Sequence, residues 1–434
     1  MEFDAAQARR NITIRFVEKD FSRFSVYPVV VNYILDVLHL DRVFKDVLKP
    51  KSVNHTFSGT EYLLFLFTVM FLGITHLYKA DDLLSSETQL ARILGFCHGR
   101  FPLSKSVYLL LSRMDYWSVK RLEEANLSLI KREKQLLERK RWLVADIDQI
   151  KKLTEGKTIE RAKPCFSHEK KGKLGLRISA STVEGLVFSQ KLEPGNVGNS
   201  DAFPGLLMET LKRLDEMSSL IRSRRVRLKK VILRIDGGYF SGKTLTFLEG
   251  IRRRRRLDFV VRAKSGLVLI EQARGGKRWQ RIDDRTDVIR LSKQQILPDV
   301  DTPYTVLIVR EKQQRIVSRK KRVREKTVLV EYPLVTTLSH WQTKRIILFY
   351  KKRQTIENIF KEFNQSFHAE KLPSHSFWGN ALYFQMVSLV SNVAVFFKGR
   401  PFTRYVSNRN TGNLTRQIAF ARGRNYDTTT GYRN

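Results

Sequence analysis

The chain has 434 residues, of which 80 are Lys or Arg and 43 are Asp or Glu, so its formal net charge is +37. A hydrophobic fraction of 42% is enough for folded cores, which excludes a wholly disordered protein, and the length predicts roughly two to three domains. Because the basic residues are spread through apparently folded sequence, the charge predicts binding to nucleic acid.

The cysteine content and the apolar runs exclude two other classes of protein. Cys97 and Cys165 are the only cysteines, which is too few for a disulfide framework or a cysteine-rich zinc site. The N-terminus lacks the pattern of a signal peptide. The most apolar run, residues 62–78, contains Gly73 and His76 and favours a buried core helix over a membrane span.

Residues 1–135 are predicted to form a mostly helical N-terminal region that binds DNA or mediates dimerisation. A short strand over residues 12–17 opens it. Residues 104–114 begin with Ser104, a good helix N-cap residue, and follow a glycine-containing turn. This segment could be the reading helix of a helix-turn-helix or a packed helical hairpin, and the sequence leaves both open.

Residues 136–264 change to an alternation of strands and helices. The predicted strands are residues 142–148, 176–180, 186–192, 231–236 and 258–262, with helices over 202–217 and 242–253. This order predicts an α/β fold in which helices flank a mixed sheet.

Residues 265–335 interrupt that alternation and are predicted to be a β-rich insertion domain. Its strands are expected at residues 266–271, 304–310 and 327–331, separated by basic segments such as 318–326. Helices are predicted over residues 342–367 and 378–397. Residues 336–398 are therefore predicted to be the second part of the first sheet domain. Residues 399–434 are predicted to be a mobile basic tail.

Three acidic residues occupy positions suited to a metal site. Asp148 and Asp236 are each predicted to end an apolar strand, and Asp236 precedes two glycines that let a ligand approach the backbone. Glu357 lies on the predicted helix after the insertion. Magnesium prefers carboxylate oxygens from separate elements, so these three acids are candidate ligands.

The predicted helix around Glu357 places an aromatic, a cation and an acid on one face. At 100° per residue, Tyr350, Arg353 and Glu357 fall within about 60° of one another. This face could be a surface salt bridge between Arg353 and Glu357. Alternatively, Glu357 binds metal while Tyr350 and Arg353 contact DNA.

The order of these motifs resembles that of a known family. Asp146-x-Asp148, then Arg-Ile-Asp236-Gly-Gly-Tyr-Phe, then Tyr350-x-x-Arg353-x-x-x-Glu357-Asn is similar to the DDE transposases of bacterial insertion sequences, of the group-1 type. The turn at residues 192–196 and the pair at 379–380 add to the likeness, which covers residues 55–398.

The resemblance implies an RNase H-like catalytic core interrupted by the β-rich insertion and preceded by the all-α N-terminal region. It implies two Mg²⁺ (or Mn²⁺) ions held by Asp148, Asp236 and Glu357. The implied reaction is cut-and-paste transposition, in which element ends are cleaved and joined to target DNA. The implied partners are double-stranded DNA with terminal inverted repeats, target DNA and a second copy of the chain. The implied location is the bacterial cytoplasm, in association with the nucleoid.

Two departures from the family pattern leave assignments open. Gln149-Ile150 replaces the small hydroxyl residue that usually follows the first aspartate, so Asp146 is an alternative to Asp148. The lysine expected seven residues after the glutamate is Asn364 here, and Lys361 on the same predicted helix face is the candidate replacement for DNA binding.

Other assignments remain open at the level of sequence. Trp279 and Trp341 are candidates for stacking on an unpaired base, although burial is the commoner outcome for tryptophan. The alternatives to a transposase are a non-catalytic transposase-derived DNA-binding protein and another RNase H-like nuclease such as a resolvase. A membrane protein built on residues 62–78 and 381–397 is disfavoured by His76 and Asn392.

Overall fold

The structure is a computed structural model that describes most of the chain between residues 30 and 399. The described ranges are 30–31, 33–48, 56–138, 140–156, 158–165, 172–219, 230–263, 278–296, 302–319, 322–365 and 372–399. The predicted strands at residues 12–17 and 266–271, and the predicted tail from residue 400, lie outside these ranges.

The described part of the N-terminal region is helical. A short π-helix, Tyr33–Val37, comes before the α-helices. These are Leu40–Phe44 (α1), Gly59–Phe71 (α2), Leu77–Leu84 (α3), Thr88–Ile93 (α4), Ser104–Ser112 (α5), Tyr116–Arg132 (α6) and Gln135–Glu138 (α7).

One helix start in this region has the side-chain cap that its sequence favours, and another does not. Ser58 and Glu61 form a capping box at the start of α2, and the second Glu61 oxygen accepts a hydrogen bond from the Cys97 backbone N–H at 2.9 Å. The prediction that Ser104 caps α5 is wrong, because Leu103 holds that position. Ser104 instead donates through its backbone N–H and its hydroxyl to Asp81, at 2.7 and 2.6 Å, and this ties α5 to α3.

A mixed, mostly antiparallel sheet follows. Its strands are Leu143–Leu153 (β1), Lys163–Pro164 (β2), Leu174–Val183 (β3), Leu186–Pro194 (β4), Val231–Ile235 (β5), Leu257–Arg262 (β6), Gln280–Asp283 (β7), Thr286–Gln294 (β8), Tyr304–Arg319 (β9) and Arg322–Thr336 (β10). Its helices are Asn199–Ser219 (α8), Gly242–Arg252 (α9), Thr343–Lys351 (α10), Gln354–Gln365 (α11) and Phe377–Gly399 (α12).

The pairing of these strands places β1 between β3 and β5. The spatial order is β2-β3-β1-β5-β6-β10-β9-β8-β7, and β4 pairs with β3. β5 is parallel to β1 and β6 is parallel to β5, whereas the other neighbours are antiparallel. The predicted α/β class, a mixed sheet flanked by helices, is confirmed.

The hairpin of β9 and β10 corrects one prediction. Residues 318–326 are predicted to be a polar segment between two strands, but residues 305–319 pair with residues 322–336, and Arg319 lies opposite Arg322. A backbone ladder does not require apolar side chains, so a charged sequence can continue an extended hairpin. Strands β7 to β10 also extend the same sheet through β6 and β10, and the boundaries of an insertion domain stay a prediction.

Helix α12 lies in the core, against α2, α5, α6 and β4. It is the one helix in the described residues that is long and apolar enough to cross a membrane, and 89% of that apolar window is buried inside the protein. Its polar groups are satisfied internally: Asn392 accepts from the Val187 backbone N–H at 2.7 Å and donates to Asn126 at 2.9 Å. These contacts are those of a core helix.

Candidate active site

Asp148 and Asp236 lie side by side where the parallel pairing of β1 and β5 ends. The last paired residues are Ile147 and Ile235, and each aspartate is the next residue along its strand. The prediction that Asp148 ends β1 is wrong, since β1 continues to Leu153 while paired with β3. The two carboxylates nevertheless share one edge of the β1–β5 pair, the edge at which α/β sheets place their sites.

The third acid reaches this edge from the first turn of α11. The predicted single helix is wrong here, because α10 ends at Lys351 and α11 begins at Gln354, with a turn between them. Arg353 lies in that turn, and Glu357 lies in the first turn of α11. From this turn, the Arg353 side chain contacts Asp148 and Asp236 at the end of the β1–β5 pair.

The guanidinium of Arg353 lies among all three acids. Its Nη1 donates to Asp148 Oδ2 at 3.1 Å, and its Nη2 donates to Glu357 Oε1 at 2.8 Å. Nη2 also forms an ion pair with Asp236 Oδ1 at 3.5 Å. The structure therefore brings Asp148, Asp236 and Glu357 to one point, with a cation between them.

Burial makes this cluster more than a surface salt bridge. Arg353 is only 7% exposed, so the interpretation of Arg353 and Glu357 as an exposed pair is wrong. Burial disfavours the charged guanidinium, but the carboxylates of Asp148 and Asp236 raise the pKa of Arg353 above its ordinary value. Burial raises the pKa of the Asp148 carboxyl, and Arg353 only partly opposes that rise.

Asp146 lies on the same face of β1 as Asp148 but has a different environment. It is 2% exposed, and Arg234, its neighbour in register on β5, donates two hydrogen bonds to it at 2.7 and 2.6 Å. Both of its oxygens are occupied, so we favour Asp148 for the acid that faces the cluster. The strand sequence Val-Ile-Leu-Arg-Ile carried a signal for this pair, because a buried arginine needs an acidic partner.

A second layer of polar contacts holds the segments around the acids. Gln149 donates to the Ser179 hydroxyl at 2.7 Å and accepts from Arg177 at 3.1 Å. Arg177 also donates to the Gly195 carbonyl at 2.7 Å, which fixes the turn after β4. Gly238 lies two residues after Asp236, and a Cβ there would lie 2.6 Å from the Asn199 side-chain amide, so a larger residue would displace that amide.

Three residues predicted to contact DNA have different environments. Tyr350 is buried, and its hydroxyl donates to the Ile235 carbonyl at 3.4 Å, so we assign it to packing of α10 against β5. Arg353 is engaged by the acids as described above. Lys361 is exposed on α11, and its contact with DNA stays a prediction.

Asn364 replaces the signature lysine, and its side chain accepts a hydrogen bond from Lys152 of β1. Lys152 is buried, and its ammonium lies 5.6 Å from the centre of the Phe384 ring. A lysine from β1 therefore reaches the α11 position where the family pattern has one. This lysine could not be assigned from sequence, because no local pattern links residues more than 200 positions apart.

The two tryptophans considered for base stacking both pack within the protein. Trp341 is buried between Trp142 and Phe349, with ring centres at 5.6 and 5.3 Å. Trp279 is half-buried, with the Arg310 guanidinium 3.7 Å from its ring centre. Trp341 is therefore a core residue, and only Trp279 keeps an exposed part.

The donor atoms of the cluster suit a hard divalent cation, since all three acids offer carboxylate oxygens. Within the described residues, however, no group of three or more His, Cys, Asp or Glu side chains is placed to hold a metal ion directly. Arg353 explains this arrangement, because it spaces the three carboxylates around its guanidinium. The residues fit a divalent cation in kind and number, provided that Arg353 moves away.

Together these features define an α/β protein that carries a carboxylate cluster at a strand edge in a strongly basic chain. Comparison with known proteins identifies the family of this chain. The family model described as a transposase DDE domain matches residues 132–393, which is more than half of the chain. The chain therefore belongs to the DDE transposase family, as the motif order predicted. A search of curated proteins found no match.

Proposed function

We propose that the protein is a DNA transposase that cuts the ends of its element and joins them to target DNA. The observation that carries this proposal is the convergence of Asp148, Asp236 and Glu357 on the single Arg353 guanidinium. These acids come from β1, the residue after β5, and α11, so only the folded chain brings them together. Membership of the DDE transposase family and the charge of +37 agree with this function.

The strand order supports an RNase H-like core for this reaction. β4, β3 and β1 are consecutive antiparallel neighbours, and β5 and β6 follow in the direction of β1. The acids stand at the centre of that order, at the β1–β5 edge. In this reading, β7 to β10 form the insertion between β6 and α10.

The proposed metal ligands are Asp148, Asp236 and Glu357, and proteins of this family typically use divalent metal ions. Two Mg²⁺ or Mn²⁺ ions bound there would stabilise the attacking and leaving oxygens of an in-line displacement at phosphorus. For the ions to bind, Arg353 has to leave the centre of the cluster. Its planar fork then becomes free to hold a DNA phosphate beside the acids.

The proposed reaction has two displacements. Water first attacks a phosphodiester at the element end, and the bond to the 3′ oxygen breaks to leave a free 3′ hydroxyl. That hydroxyl then attacks a phosphodiester of the target, which displaces a 3′ oxygen of the target strand and joins the element to it. If the hydroxyl first attacks the other strand, a hairpin forms, and water has to open it before the joining step. The proposed partners are double-stranded DNA with terminal inverted repeats, target DNA and a second copy of the chain. The proposed location is the bacterial cytoplasm.

One observation favours a second candidate, a non-catalytic transposase-derived DNA-binding protein. Arg353 pairs with all three acids, and a protein that only binds DNA could keep this arrangement permanently. The test is incubation of the full chain with a linear fragment containing the DNA that flanks its coding region. Transposition predicts cleavage at inverted repeats in Mg²⁺ and none in EDTA. Binding without cleavage in either condition would favour the second candidate.

A resolvase-like nuclease gives a third pattern in the same assay. It would cut branched DNA in Mg²⁺ without preference for the terminal repeats. Including a four-way junction of unrelated sequence as a second substrate separates this outcome from transposition. Preference for the junction over the repeats would contradict the proposed function.

A further inference from the structure

Tyr239 carries a buried hydroxyl that forms no hydrogen bond within the described structure. The residue is 1% exposed, and its oxygen has neither a protein donor nor a protein acceptor. Leaving a buried hydroxyl unsatisfied costs about 1–3 kcal/mol. Such groups are uncommon in folded proteins, and each one needs an explanation, of which a functional role is one.

Tyr239 lies three residues after Asp236, which is the neighbour of Asp148 at the edge of the β1–β5 pair. The backbone N–H of Tyr239 donates to the Asp236 carbonyl at 3.1 Å, which closes a single 3₁₀ turn directly after the acid. The Phe203 ring of α8 lies 5.6 Å from the ring of Tyr239. Burial raises the pKa of Tyr239, and the nearby carboxylate of Asp148 raises it further. A tyrosine hydroxyl is protonated at neutral pH, so it can act as a hydrogen-bond donor.

All three acids lose a partner when Arg353 leaves, and Asp148 is the acid whose charge acts most strongly on the Tyr239 hydroxyl. Asp148 Oδ2 accepts from Arg353, and its Oδ1 accepts from the Gln149 backbone N–H at 2.9 Å. When Arg353 leaves the cluster, Oδ2 loses its hydrogen-bond donor. Glu193, the other acid near this hydroxyl, already accepts from Ser179 at 2.5 Å.

We propose that Tyr239 is a positioning residue, which donates its hydroxyl to the Asp148 carboxylate when divalent cations replace Arg353. This inference rests on the proposed function. The hydrogen bond would fix the orientation of Asp148, as outer hydrogen bonds do for carboxylates that bind metals. The Tyr239 hydroxyl thus lowers the stability of the metal-free protein and raises its affinity for the cation.

The test compares Tyr239→Phe with Tyr304→Phe in the full chain. Tyr304 is also 1% exposed, but its hydroxyl donates to Glu249 at 3.1 Å and lies outside the cluster. Thermal unfolding is measured in EDTA, and affinity for Mn²⁺ alone is measured by titration calorimetry. Removing an unsatisfied hydroxyl should leave the unfolding temperature of Tyr239→Phe unchanged or higher, while its Mn²⁺ affinity falls at least about tenfold. Tyr304→Phe should unfold at a lower temperature and bind Mn²⁺ as the wild type does.

Two results would overturn the inference while leaving the proposed function intact. One is wild-type Mn²⁺ affinity in Tyr239→Phe. The other is a loss of stability in EDTA as large as that of Tyr304→Phe, which would show that the hydroxyl has a structural partner. Asp148→Asn and Asp236→Asn are measured in parallel. If these variants bind Mn²⁺ like the wild type, the metal site itself is wrong, and the role of Tyr239 falls with it.

Discussion

Arg234 holds both carboxylate oxygens of Asp146, with Nε 2.7 Å from Oδ1 and Nη2 2.6 Å from Oδ2. The two residues are register partners on parallel strands. Arg234 therefore occupies both carboxylate oxygens of Asp146, the first acid of the Asp-x-Asp motif. It leaves the second acid, Asp148, to face the cluster around Arg353.

The buried pair predicts different consequences for the two aspartates of β1. Asp146→Asn leaves the Arg234 charge buried without a full partner, and breaking a buried ion pair costs about 3–5 kcal/mol. Asp148→Asn should cost much less, because Arg353 keeps Asp236 and Glu357 as partners. Urea unfolding in EDTA measures both. Wild-type stability of Asp146→Asn together with lost Mn²⁺ binding would make Asp146 the ligand instead.

The raised pKa of Asp148 predicts a dependence of stability on pH. Its carboxyl binds a proton more tightly in the folded chain than in the unfolded chain, where its ordinary pKa is 3.8. The free energy of unfolding therefore loses a contribution as pH rises from about 3.8 through the higher folded pKa. The side chain introduced by Asp148→Asn does not ionise, so the variant does not lose this contribution to the free energy of unfolding. Its stability relative to the wild type should increase between acidic and neutral pH in EDTA, and a constant difference would contradict the account.

The central position of Arg353 predicts competition with divalent cations. Arg353→Gln removes the counter-ion shared by three carboxylates, so the unfolding temperature in EDTA should fall. Mn²⁺ should then raise that temperature more in the variant than in the wild type, because no guanidinium has to be displaced. Arg290→Gln is the matched control, since Arg290 donates to the Trp341 carbonyl at 2.8 Å and to Thr343. An equal Mn²⁺ shift in all three proteins would rule out competition.

Much of this arrangement could be predicted from local pattern. Apolar strands followed by Asp148 and Asp236 predicted their position at one edge, because parallel strands bring equivalent residues together. The i,i+4 spacing predicted the contact between Arg353 and Glu357. Each of these inferences needs only residues close in sequence or a regular sheet.

The predictions that were wrong concern features that depend on tertiary contacts. Helical periodicity could not reveal the break between Lys351 and Gln354, because both flanking segments keep an apolar stripe that packs inward. The burial of Tyr350 depends on β5 lying beneath α10. The contact of Lys152 with Asn364 joins two segments that no sequence window contains. Such contacts are set by the fold as a whole.

The charge of the chain predicts a steep salt dependence of DNA binding. A protein that neutralises about ten phosphates should show log K falling with log salt at a slope of about −9. Filter binding or fluorescence anisotropy across a range of salt concentrations measures this slope. Lys361→Ala should reduce its magnitude by about one if the lysine contacts a phosphate. A slope near zero would mean that the excess charge of +37 serves another purpose.

The most direct test of the proposed site is DNA cleavage by single variants of its three acids. Asp148→Asn, Asp236→Asn and Glu357→Gln are compared with the wild type on a fragment carrying the flanking DNA of the coding region, in Mg²⁺. The account predicts that each variant binds this fragment as the wild type does but cleaves it several orders of magnitude more slowly, because each loses a carboxylate ligand. Wild-type cleavage by any one of the three would contradict its place in the site.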